Sequence, residues 1–157
     1  MNEIIQKQKP ELRKLLYKAP ALITLYVASQ VSSGNLEPSE ERSAKIYLSI
    51  LCNQGPEKLQ DYFLEVKNTF EEDMAKLNKE LPSDSEKRKD EIESRLKPVK
   101  KFIATLPASL GIQFKDTLLS IILHARNANN DTLLSVILPL ISENFIKLED
   151  ERLRRIL

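Results

Sequence analysis

Two apolar stripes of the same period, one after the other, constrain this chain more than any other feature. Leu59, Phe63, Val66, Phe70, Met74, Leu77 and Leu81 recur every three or four residues after Pro56. Ile92, Leu96, Val99, Ile103 and Leu106 do the same beyond the turn Leu-Pro-Ser-Asp-Ser-Glu at residues 81–86. That period places each set on one face of a helix. Two helices joined by a short turn lie antiparallel, so the spacing predicts a long helical hairpin over residues 55–106 with a coiled-coil-like seam. Ser83 and Glu86 have the spacing of a capping box at the start of the return helix. The distal half, residues 71–93, is mostly charged, which predicts a tip that projects from the body into water. Pro98 predicts a kink in the return helix.

Helical spacing governs the remainder as well, and no segment alternates long enough to read as a strand. A first helix is expected over Pro10–Lys18, with Leu12, Leu15 and Leu16 inward. A second is expected to open at Pro20, where proline suits a first helical turn. Its sequence, PALITLYVASQV, is apolar on most faces and belongs at the centre of a core. A third runs from Pro38 to about Cys52, with Glu40 and Glu41 in its first turn, where acidic groups suit the positive end of the dipole. The runs KDTLLSIIL and NDTLLSVIL are near copies fifteen residues apart, too short a period for a solenoid unit. Leu118, Ile121, Ile122, Leu133, Val136 and Ile137 are expected in the core. Pro139 should bend the later copy, and a short closing helix ends the chain. With 157 residues, three glycines and no tryptophan, the expectation is one all-α domain, residues 1–157, of about seven to nine helices.

The turn SSGNLEPSE, residues 32–40, can be set beside SENFIKLED, residues 142–150. Gly34 matches Asn144, Leu36 matches Ile146 and Glu40 matches Asp150. Both stretches follow an apolar helix and precede a charged amphipathic one, the pattern of a duplicated helix-turn-helix unit. Helix junctions also resemble one another by chance, and both readings stand at this point. The stretch LYKAPALITLYVASQVSSGNLEPSEERSAKIYLSI resembles the first helix-turn-helix unit of the tellurite-resistance TerB-like family. In that family an Ala-Asp-Gly turn is followed by one residue, an aliphatic residue, three residues and Glu. Here Ser32, Ser33, Gly34, Leu36 and Glu40 occupy those positions, and LQDYFLEVKNTFEED resembles the stretch that follows. The resemblance implies an all-helical fold, an association with metal and stress responses, and divalent-cation binding at the turn. Ser33 stands where the family has aspartate. Calcium takes 6–8 oxygen ligands, chiefly charged, and the candidate oxygens left are those of Ser33, Asn35, Glu37 and Glu40. The plainer reading gives Gly34 to helix termination and Glu40 to the helix dipole.

Other chemistry is sparse. His124 is the one histidine, and no nucleophile, phosphate-binding glycine loop or Cys/His cluster accompanies it in sequence. A partly exposed or hydrogen-bonded structural role is expected. Cys52, a single cysteine in the run IYLSILC, reads as a small buried core residue. Lys plus Arg number 24 against 23 Asp plus Glu, a balance that argues against a nucleic-acid footprint. The longest apolar runs fall short of the ~20 residues of a membrane helix, and the amino terminus lacks a leader pattern, so a cytoplasmic protein is expected. Three functions follow in order: a non-catalytic binding or scaffold protein with a protein partner and no cofactor, a divalent-metal-responsive stress protein using the turn at 32–40, and an enzyme centred on His124.

Overall fold

The computed structural model describes residues 1–31 and 38–126. It is all-α: α1 (Asn2–Gln6), α2 (Pro10–Val31), α3 (Pro38–Gln54), α4 (Glu57–Glu80), α5 (Ser85–Thr105) and α6 (Ala108–Arg126). No strand occurs among the described residues. Six helices occupy them, and the expected count of seven to nine draws on residues beyond them, as do Leu133, Val136, Ile137 and the stretch 142–150.

α2 is the axis of the fold. Every residue from Ala19 to Ser29 is buried, which its nearly all-round apolar sequence requires, and α4, α5 and α6 all pack along it. Each large aliphatic residue of this stretch, Leu22, Ile23, Leu25 and Val27, is 0% exposed, a burial that contributes about 1.5–3 kcal/mol apiece.

The helix boundary expected at Pro20 is absent: α2 runs unbroken through it. Proline has no N–H, so the bond that position 20 would donate to the carbonyl four residues back cannot form. That carbonyl belongs to Leu16, and the buried Tyr62 hydroxyl of α4 donates to it at 2.7 Å. A tertiary hydrogen bond thus replaces the missing helical one. Thr24 in turn donates its hydroxyl to the Pro20 carbonyl at 2.9 Å.

Both stripes of the expected hairpin are buried as their spacing predicts, but they do not form a seam with each other. The backbones of α4 and α5 approach only sparsely, whereas each packs extensively on α2. The two helices straddle α2 and meet near their shared turn, where Arg95 of α5 reaches Glu80 of α4 at 3.1 Å. The turn is docked rather than projecting. Leu81 is 5% exposed, Ser85 donates to the Ser29 carbonyl in the last described turn of α2 at 2.7 Å, and the Tyr26 hydroxyl donates to Glu93 at 2.8 Å. The cap of α5 is Asp84, whose carboxylate accepts from the Lys87 amide at 2.9 Å, not Ser83; either side chain can cap, and the turn places the aspartate. α5 continues through Pro98 to Thr105.

α3 packs across α4 and α6 and scarcely touches α2. Its turn into α4 depends on Gly55, where a Cβ would stand 2.5 Å from the Leu51 carbonyl oxygen. α1, not anticipated from sequence, seats Ile5 in the core and holds Tyr17 of α2, whose hydroxyl donates to Asn2 at 3.2 Å.

Tyr62→Phe should destabilise the protein by about 1–3 kcal/mol, because it strands the Leu16 carbonyl in a dry interior. In a Pro20→Ala background the restored amide can serve that carbonyl, and the same substitution should cost markedly less. A denaturant double-mutant cycle measures the difference. Strict additivity would show that Tyr62 is not the replacement donor.

Candidate functional site

A cluster of polar and aromatic side chains lies between α3 and α6. His124 is 8% exposed and Tyr47 4%. Their rings stack with centroids 3.5 Å apart and planes 7° from parallel. Helical spacing produces the surroundings: Ser43 and Tyr47 lie one turn apart on α3, and Thr117, Ser120 and His124 follow at three and four residues on α6. His124 Nδ1 lies 2.9 Å from the Ser120 carbonyl oxygen. A carbonyl only accepts, so Nδ1 carries the proton. The Tyr47 hydroxyl donates to Ser120 Oγ at 2.8 Å, Ser120 Oγ donates to the Thr117 carbonyl at 2.6 Å, and Ser43 Oγ donates to the His124 carbonyl at 2.9 Å.

This arrangement commits the proton of each of the three side-chain hydroxyls Ser43, Tyr47 and Ser120 to a structural acceptor. Ser120 gives its own to a carbonyl rather than to an imidazole nitrogen, so it lacks the base that activates a serine nucleophile. Burial pushes the Tyr47 phenol above the ordinary tyrosine value, opposed by its bond to Ser120, and the group stays a neutral donor. The cluster is a clasp between two helices. Of the two states expected from sequence, partly exposed or hydrogen-bonded, His124 shows the second, and Tyr47 stacks on its buried ring.

Cys52 is half-buried at the edge of the core. Burial raises its thiol pKa, with Lys67 opposing, so it lacks the depressed pKa of a reactive thiolate. Among the candidate oxygen ligands, Ser33, Asn35 and Glu37 lie outside the described residues. Glu40 falls within the first turn of α3, where the dipole argument placed it. Among the described residues no group of three or more His, Cys, Asp and Glu side chains is placed to hold a metal ion, and no helix is long and apolar enough to cross a membrane.

Sequence reasoning missed Arg88. Its run of mixed charge reads as a solvated face, yet Arg88 is 4% exposed. Its guanidinium bonds the Asn78 side chain and lies 3.5 Å from the Pro82 carbonyl, which sets a cation at the carboxyl end of α4, where the helix dipole favours it. Both acceptors are neutral, Nε has no partner among the described residues, and burial lowers the pKa. The signal was present: Arg88, Ile92 and Leu96 recur every four residues, so the apolar stripe of α5 extends back to the arginine. Lys89, also buried, pairs with Glu86 one turn away.

No family model matches the chain, and no curated protein or solved structure matches it.

Two outcomes follow from these environments. His124→Ala removes the ring on which Tyr47 stacks and should cost about 2–4 kcal/mol by analogy with other large-to-small core changes. His124→Phe keeps a flat ring but loses the Nδ1 donor, and should cost less. Equal losses in urea unfolding would show that the stack contributes nothing. The second concerns alkali. Burial raises the Tyr62 phenol well above its ordinary value of 10.0. The unfolded chain therefore releases that proton near pH 10 while the folded chain keeps it. The folded state binds more protons there, so stability is fully present below pH ~10 and falls as pH rises through the folded pKa. Melting temperatures measured between pH 9 and 11 should fall less steeply for Tyr62→Phe than for the parent protein, and identical slopes would refute the assignment.

Proposed function

We propose that this protein is a non-catalytic helical binding or scaffold protein of TerB-like type, working in the cytoplasm in a stress response through a protein partner. One observation supports this reading above others: the interior side chains best suited to chemistry are engaged in joining helices. Tyr62 serves a proline-interrupted carbonyl, and Ser43, Tyr47, Ser120 and His124 clasp α3 to α6. A partner would meet the outer faces of the helices, which are charged and carry the scattered exposed apolar side chains Ile46, Leu64 and Ile112. Single exposed apolar residues are ordinary on soluble surfaces, so these mark positions for testing rather than a defined patch.

The discriminating experiment pairs affinity capture from the native cell with titration. On this reading the parent protein captures a defined protein, and at least one of Ile46→Glu, Leu64→Glu or Ile112→Glu abolishes capture without changing the melting temperature. Calcium titration should show weak binding or none, with little thermal shift. Ser33→Asp should strengthen divalent binding if the turn at 32–40 descends from a metal loop, because it adds an anionic oxygen. Tight calcium binding by the unmodified protein, lost in Glu40→Gln, would put the metal-responsive function first. Turnover of any substrate that disappears in the folded His124→Phe variant would put an enzyme first.

A further inference from the structure

We draw no further inference here: the strongest candidate, the buried Arg88 guanidinium at the α4–α5 turn with its unpartnered Nε, is already held by Asn78 and the Pro82 carbonyl beside a helix start occupied by Asp84, and nothing among the described residues shows an opening through which an anion would reach it.

Discussion

The hydrogen bond from Tyr62 to the Leu16 carbonyl is the contact on which the rest of the architecture turns. Without a donor at that point, a proline in the middle of α2 would leave a carbonyl unsatisfied where no water reaches, a penalty of about 1–3 kcal/mol added to the ring's own conflict with the preceding turn. With it, α2 remains a single rod of 22 residues, long enough for three other helices to pack along it. Tyr62 itself is fully enclosed. Its ring lies 5.7 Å from Tyr17 of α2 and 5.0 Å from Phe114 of α6, the first nearly parallel and the second edge-on. One side chain thus joins α2, α4 and α6 and fixes their relative heights.

Burial around that rod, not surface charge, carries the stability. The ion pairs Lys45–Glu71 and Lys76–Glu72 sit on exposed faces, where solvent screening leaves such pairs little net weight. Lys18–Asp73, at 3.9 Å, is only loosely closed. The polar contacts that matter most are the buried and part-buried ones between helices. Ser85 on Ser29, Tyr62 on Leu16 and Ser43 on His124 each deliver a hydroxyl from one helix to a backbone carbonyl of another. Such contacts demand a particular register, whereas apolar packing tolerates sliding.

The class of fold and the inward faces of α4, α5 and part of α6 were legible because periodicity is a local property. Phe63, Phe70, Ile92 and Leu96 could be assigned to the core from spacing alone. Periodicity states which face is covered but not by what, and for that reason α4 and α5 read as partners of each other. The clue to the true arrangement lay elsewhere, in PALITLYVASQV, because a helix apolar on all sides needs neighbours on all sides. Pro20 was misread because the local rule is sound and the exception is supplied by a residue far along the chain. The His124 clasp was half legible: the histidine stood out by its rarity, but its stacking partner on α3 has no sequence relation to it. Arg88 was hidden by its own charge, since residue type outweighed position.

The placement of α2 has a consequence for the order in which the chain is made. It is made before the helices that enclose it, since α4, α5 and α6 all come later in sequence. At ribosomal speeds of about 5–20 residues per second, the interval between the emergence of α2 and that of Leu118 is roughly 5–20 s. Until then this helix, buried from Ala19 to Ser29 in the folded protein, lacks part of its native cover. Closure must wait for contacts distant in sequence, which slows folding relative to a helical bundle built from neighbours. During synthesis, α2 is therefore a segment exposed to aggregation, and one for which a chaperone has use.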